Sequence, residues 1–238
     1  MSILDILFPK KCVGCGRAEA NICPKCAKTA RLAFPQVCPA CERASIGGVT
    51  HKRCVKSGLP DGLISIWAYE RLIRNVVKKL KYRFVYEIAE ELGILASNEL
   101  NKVIAEGWIP KNDKIVMVPV PLHWTRENWR GFNHSREVAK IIGEQLGWRV
   151  VDLLTRVKKT RSQVGLGEKD RQKNMEGVFS LSLPLCQGFA GQASLRCGND
   201  WTIILFDDVW TTGSTMKEAI KVLKQAGFKE IWCLTLAR

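Results

Sequence analysis

Two adjacent carboxylates, Asp207 and Asp208, stand just ahead of a run of small and hydroxylated residues, Thr211-Thr212-Gly213-Ser214-Thr215. The apolar stretch Ile203-Ile204-Leu205-Phe206 leads into the acids. That order places them at the C-terminal end of a strand, the edge of an open α/β sheet where ligands bind. Backbone N–H groups of the following loop can wrap a phosphate, and Gly213 removes the Cβ that would obstruct close approach. Thr215 and Glu218 have the spacing of a capping box, so a helix is predicted to begin at the end of the loop and favour an anion there. Carboxylates beside a phosphate cradle suit a ligand that also carries ribose hydroxyls, or Mg²⁺ on a pyrophosphate ester. A nucleotide hydrolase would also end a strand in Asp, but it needs a Gly-Lys-Ser/Thr loop, and the chain contains no Gly-Lys dipeptide.

A second chemistry occupies the N-terminal 60 residues. Cys12/Cys15, Cys23/Cys26 and Cys38/Cys41 are C-x-x-C pairs, and His51-x-x-Cys54 is a fourth knuckle. Each spacing lets two ligands from one turn reach the same tetrahedral ion. Eight ligands are enough for two structural zinc ions, paired first with second and third with fourth, or crossed, and one ion with spare thiols remains open. Disulfides are the poorer reading, because the N-terminus has an acidic residue and no basic n-region before its apolar part.

These groups need a scaffold. The spacing predicts a helix over 70–82, with Leu72, Ile73, Val76, Val77 and Leu80 on one face. Arg71, Arg74, Lys78 and Lys81 form a stripe on another, either solvated or facing phosphates. Further helices are predicted over 86–105 and from an Asn133 cap to Leu146, where Gly147 ends it. Strands are predicted at Ile115–Val120, Val150–Leu154, Phe179–Leu183, Trp201–Phe206 and Ile231–Leu236. The last 38 residues read strand, loop, helix, strand, with Gly227 stopping the helix. This βαβ unit implies a mostly parallel sheet with helices on both faces. Residues 184–200, with Cys186 and Cys197, read as a surface loop. The division is a cysteine-rich module over 1–60 and an α/β domain over 61–238.

Composition narrows the partners. The chain has 37 Lys+Arg against 23 Asp+Glu, a formal charge of +14, which favours phosphates or nucleic acid. Ten Lys+Arg and three Asp+Glu fall within residues 1–60, but seven thiolates and two zinc ions would lower that module from +7 to about +4. No stretch approaches the ~20 apolar residues of a membrane span, so membrane insertion is not expected and a cytoplasmic protein is.

The stretch from Asp207 to Thr215 resembles the signature of type I phosphoribosyltransferases. With the cysteine module, Leu72-Ile73 through Leu80-Lys81-Tyr82, Val118-Pro119-Val120-Pro121-Leu122-His123, Arg130-Gly131-Phe132-Asn133, Arg161-Ser162-Gln163, Arg171-Gln172-Lys173-Asn174 and the final Leu236-Ala237-Arg238, the chain resembles the ComF/GntX family over nearly its whole length. The resemblance implies a type I phosphoribosyltransferase fold and binding of 5-phosphoribosyl-1-pyrophosphate (PRPP) with Mg²⁺. Asp207 and Asp208 would contact the ribose 2′ and 3′ hydroxyls, as the catalytic pair if transfer occurs. Thr211, Thr212, Gly213, Ser214 and Thr215 would hold the 5′-phosphate, with Val209 in the same ligand-binding segment. Arg126 and Arg130 would offer planar forks to the pyrophosphate. A basic loop over 156–174, with Arg156, Arg161, Gln163 and Arg171, would close over the ligand. Trp210 is bulkier than the pattern, and His123 and His134 read as structural.

Three functions follow. One is PRPP binding of the ComF type linked to DNA uptake or handling, with single-stranded DNA and other competence or DNA-processing proteins as partners. The alternative is a nucleobase phosphoribosyltransferase of nucleotide salvage. The third uses the zinc module as a protein-docking surface.

Overall fold

The computed structural model describes residues 10–18, 20–56, 58–81, 86–109, 114–160, 167–182 and 201–238. Arg161, Ser162, Gln163, Cys186 and Cys197 lie outside them. The centre is a five-stranded sheet built from β1 (Gly62–Trp67), β2 (Ile115–Pro119), β3 (Arg149–Val150), β6 (Thr202–Val209) and β7 (Glu230–Ala237). Its order is β1-β7-β6-β2-β3, and every pairing is parallel. Among the described residues, and apart from a one-turn helix at Pro24–Ala27 in the cysteine module, six helices accompany it: α1 (Arg71–Leu80), α2 (Tyr86–Ala105), α3 (Trp124–Arg130), α4 (His134–Leu146), α5 (Glu168–Met175) and α6 (Ser214–Gln225).

Strands covered on both faces read as continuous apolar runs, and side chains alternate between two cores. Ile204, Phe206, Met117 and Leu234 join α1, α2 and α4 on one face. Ile203, Leu205, Val116, Val118 and Cys233 join α6 on the other. The apolar face of α1 buries all five residues that its periodicity singles out. At about 1.5–3 kcal/mol for each fully buried aliphatic chain, that face fixes the helix far more firmly than propensity would.

Helix α4 keeps its expected ends: the Asn133 side chain accepts from the Ser135 and Arg136 N–H groups, and Gly147 adopts φ 69° as the C-cap. Two strands differ from expectation. The span 150–154 is not one strand, because Leu153 N–H turns back onto the Val151 carbonyl at 3.1 Å. The chain thus leaves β3 and forms β4 (Leu154–Arg156), which pairs antiparallel with β5 (Phe179–Leu181) in a separate two-stranded sheet. Strand β6 runs past Phe206 to Val209, since Asp207 and Val209 pair with Thr235 and Ala237 of β7. The two acids therefore sit within the strand, and the loop shortens to Trp210–Gly213.

The cysteine module docks on the β1 edge. Ala33 N–H donates to the Ile66 carbonyl at 3.0 Å and Ala68 N–H to the Arg31 carbonyl at 2.8 Å. Gln36 completes the edge: its Nε2 donates to the Ser65 carbonyl at 2.9 Å and its Oε1 accepts from Ser65 N–H at 3.0 Å. An otherwise open strand edge is covered in this way. Near the first knuckles, Glu91 accepts from the Asn21 and Ile22 backbone at 3.1 and 2.6 Å, tying the module to α2.

Candidate functional site

The chain runs from β2 outward to β3 in one direction and from β6 outward to β7 in the other. Between β2 and β6 the sheet therefore has a topological switch point, the crevice where open α/β sheets hold ligands. A cavity of about 350 Å³ lies there. Asp207, Asp208, Val209, Thr211, Gly213, Ser214, Thr215, Arg126 and Arg130 all line it. Thr212 does not: its hydroxyl pairs with Ser214 Oγ at 2.7 Å and its carbonyl accepts from Lys217 Nζ at 2.9 Å.

Asp208 is buried and Asp207 partly so, and the two carboxylates are differently partnered. Asp207 Oδ1 accepts from Ser135 Oγ at 3.1 Å and from Asp208 N–H at 2.9 Å. Asp208 Oδ2 accepts from Lys81 Nζ at 2.6 Å and faces His134 Nε2 at 3.3 Å. Burial, then the charge of Asp208, pushes the Asp207 carboxyl up to about 6. Burial acts on Asp208 in the same sense, but the His134 hydrogen bond and the charge of Lys81 outweigh it and hold that carboxyl below its usual range. The pair thus splits into a readily protonated member and a firmly ionised one.

His134 bridges the two sides of the cleft. Arg130 Nη1 stands 3.2 Å from His134 Nδ1. A guanidinium only donates, so Nδ1 carries the lone pair and Nε2 carries the hydrogen given to Asp208. The structural reading of His134 is therefore too narrow, because it holds a carboxylate and an arginine in the cleft. His123 is structural: it caps α3 by accepting from Thr125 N–H.

The opposite wall is cationic. Arg126 Nη2 donates to the Thr160 carbonyl at 2.9 Å. Arg156, from β4, is 7% exposed and donates through Nη2 to Thr160 Oγ1 at 2.5 Å. Burial first, then the charge of Arg126, lowers the Arg156 guanidinium to about 10. Among the described residues, the buried Nε atoms of Arg130, Arg156 and Arg171 have no hydrogen-bond partner. Burying like charges is costly, and an anion in the cleft would offset their mutual repulsion. Tyr69 is a cleft residue that no sequence signal singles out; Trp210 and Val120-Pro121-Leu122 line the cleft within stretches that the family resemblance marks, and Lys81 belongs to the stripe whose role the sequence leaves open.

Trp210 explains the loop. Its ring is 5% exposed and packs under Gly213, where a Cβ would lie 2.3 Å from the ring. Gly213 also takes φ 68°, which favours glycine, and it caps α6 without any side-chain bond. The expected capping box is absent: α6 starts at Ser214, and Glu218 instead accepts from Gly177 N–H at 2.7 Å. The first-turn N–H groups of α6 have no acceptor within the helix.

The knuckles pair in sequence order. Cys12, Cys15, Cys23 and Cys26 form one cluster and Cys38, Cys41, His51 and Cys54 the other, with ligand atoms in each within 4.8 Å of one another. Zn–S bonds of about 2.3 Å in a tetrahedron place sulfurs about 3.8 Å apart, and Cys15 and Cys23 Sγ are 3.7 Å apart. Backbone N–H groups of Cys23 and His51 donate to Cys12 and Cys38 Sγ at 3.4 and 3.5 Å, which favours thiolate there. His51 Nδ1 faces Cys41 Sγ at 3.4 Å, and its Nε2 meets the Ala44 carbonyl at 3.2 Å, which orients the ring for ligation. Both quartets fit structural zinc.

Comparison with known proteins agrees. The family described as double zinc ribbon domain matches residues 3–55. The chain is similar to the DNA utilization protein YhgH of Salmonella typhi, 31% identical over 221 residues, covering 90% of this chain and 89% of that protein. It is similar to competence protein F of Haemophilus influenzae, 35% identical over 127 residues, covering 51% of this chain and 49% of that protein. Competence protein ComFC of Bacillus subtilis is 22% identical over 218 residues, covering 89% of this chain and 81% of that protein. With paired zinc-ribbon clusters ahead of a parallel sheet, and relatives that align along nine-tenths of it, the chain belongs to the ComF/GntX family.

Proposed function

We propose that the cleft binds PRPP with Mg²⁺. The observation that carries this reading is the split charge of one cavity: two carboxylates at the end of β6 face four arginines across the mouth of the α6 phosphate loop. A ligand with a 5′-phosphate, a vicinal diol and a pyrophosphate meets all three features. The 5′-phosphate takes the loop and the first turn of α6. The diol hydroxyls donate to Asp207 and Asp208. The pyrophosphate takes Arg126, Arg130 and Arg156, whose planar forks suit phosphate oxygens, and Arg161 belongs with them by family resemblance. Mg²⁺ travels with the pyrophosphate ester and offsets part of its charge.

This is tested by calorimetric titration of Mg²⁺–PRPP into zinc-loaded protein, beside an Asp207→Asn/Asp208→Asn variant. Saturable binding in the wild type, lost in the variant, is expected. A folded wild type that gives no heat with PRPP refutes the reading.

The names of the relatives, DNA utilization protein and competence protein, support carrying nucleic-acid handling to this chain, with competence or DNA-processing proteins as its associates. Single-stranded DNA would meet the face of α1 that exposes Arg71, Arg74 and Lys78. Fluorescence anisotropy at low salt, where phosphate contacts are strongest, should show affinity that falls in an Arg71→Gln/Arg74→Gln/Lys78→Gln variant. Equal affinity in both proteins removes that surface from consideration.

A further inference from the structure

Lys81 is the last basic residue of the α1 stripe, and its position separates it from the others. Arg71, Arg74 and Lys78 are exposed, whereas the Lys81 side chain enters the cleft and places Nζ 2.6 Å from Asp208 Oδ2. Among the described residues, no other lysine lines that cavity. His134 Nε2 contacts the same oxygen at 3.3 Å, so Oδ2 is held from two sides. Among the described residues, Asp208 Oδ1 carries no hydrogen bond, so it is the oxygen that a ligand hydroxyl could meet.

We infer that Lys81 is the resident cation of the Asp207/Asp208 pair, taking the place that a divalent ion would otherwise hold on these carboxylates. An ammonium at 2.6 Å satisfies a carboxylate in a charge-assisted hydrogen bond. A divalent cation on Asp208 would have to sit within a few ångström of Nζ, where like-charge repulsion is strong in a partly buried site. Hard divalent ions also seek several oxygen ligands, and Asp207 Oδ1 is already engaged by Ser135 and by the Asp208 N–H. Lysine on the carboxylates and arginines across the cleft divide the work. The sugar hydroxyls meet the acids directly, and any divalent ion stays with the ligand's phosphates.

The part of this inference that concerns the diol rests on the PRPP reading, but the part that concerns the cation does not. The test therefore begins with Mn²⁺ alone, followed by electron paramagnetic resonance on zinc-loaded protein. Wild type and Lys81→Arg are expected to show no Mn²⁺ site that depends on Asp208. Lys81→Met is expected to gain a one-to-one Mn²⁺ site, and Lys81→Met/Asp208→Asn to lose it. A site on the wild type that Asp208→Asn removes, or no gain in a folded Lys81→Met, overturns the inference. The arginine variant separates loss of charge from loss of fold.

A second arm uses ribose 5-phosphate, which has the diol and one phosphate but no pyrophosphate. Its affinity for the wild type should be the same within twofold in Mg²⁺ and in EDTA, and should fall at least tenfold in Lys81→Met. A requirement for Mg²⁺ in the wild type counts against resident lysine. Failure of both ribose 5-phosphate and PRPP to bind, with the Mn²⁺ result as expected, would sink the PRPP reading and leave the role of Lys81 standing.

Discussion

Replacing Gly213 with alanine probes the phosphate loop through two separable effects. The residue adopts φ 68°, and an L side chain in the left-handed region costs roughly 1–2 kcal/mol. The new Cβ would also lie 2.3 Å from Trp210 Cζ2 and 2.4 Å from Cη2. That contact cannot be relieved cheaply, because Trp210 is 5% exposed and belongs to the core beneath α6. Forcing an extra carbon into a packed core costs about 1–3 kcal/mol, so Gly213→Ala should lose about 2–5 kcal/mol in all. The assay is a thermodynamic cycle in guanidinium with Trp210→Phe, which deletes Cζ2 and Cη2 while keeping an aromatic ring. In the phenylalanine background only the backbone effect remains, so the coupling energy should be about 1–3 kcal/mol. Additivity within about 0.5 kcal/mol would refute the claim that the indole is what demands glycine here.

Two further outcomes follow from the site and the module. Because Asp207 is raised to about 6 from 3.8, PRPP affinity should weaken as pH falls from about 7 to 5 in the wild type more steeply than in Asp207→Asn, measured by calorimetry. For stability the sign reverses: a raised carboxyl contributes below its unfolded value and loses that contribution as pH rises through its folded value. Asp207→Asn should thus gain in guanidinium midpoint relative to wild type between about pH 4 and pH 7, and a parallel pair of curves would contradict the buried-charge account. Elemental analysis should find two zinc ions per chain, falling to one in Cys38→Ser because the clusters share no ligand; a fall to zero would mean that the two ribbons fold as one unit.

Helices α1, α2, α4 and α6 were legible because burial writes a period into sequence, whereas α3 was not read as a helix and α5, a polar helix over Glu168–Met175, falls in the stretch expected to be a basic loop. Leu72, Ile73, Val76, Val77 and Leu80 repeat at helical spacing and all five are buried, and Asn133 and Gly147 bracket α4 by their cap chemistry. The end of β6 was not legible, since two aspartates do not read as strand. They stay in the ladder because β7 extends to Ala237 to pair with Val209. The false capping box has a similar cause: Thr215 and Glu218 have the right spacing, but the Gly177 N–H arriving from the α5–β5 connection captures the glutamate. Equal C-x-x-C spacings could not choose between sequential and crossed zinc pairing. That choice depends on where the knuckles dock, with Ile22 in one core beside α1 and α2 and Val37 in the other.

Lys81 shows why the candidate site was only half readable. In sequence it is one member of a basic stripe whose plain reading is a solvated face, and for Arg71, Arg74 and Lys78 that reading agrees with their exposure. Its partner lies 127 residues away, at the far end of a crossover that closes only when β6 inserts between β2 and β7. The same holds for Arg156, which reaches the cleft from a two-stranded sheet outside the main one. The acids and the loop form one contiguous segment and carry a local signature. The cations come separately from α1, α3, β4 and α5, so their convergence is a property of topology. A cleft assembled in this way can vary the cations while keeping the phosphate loop, because each arrives on its own element. Ligand preference in the cleft should therefore be set chiefly by the scattered arginines and Lys81, while the contiguous loop sets the requirement for a phosphate.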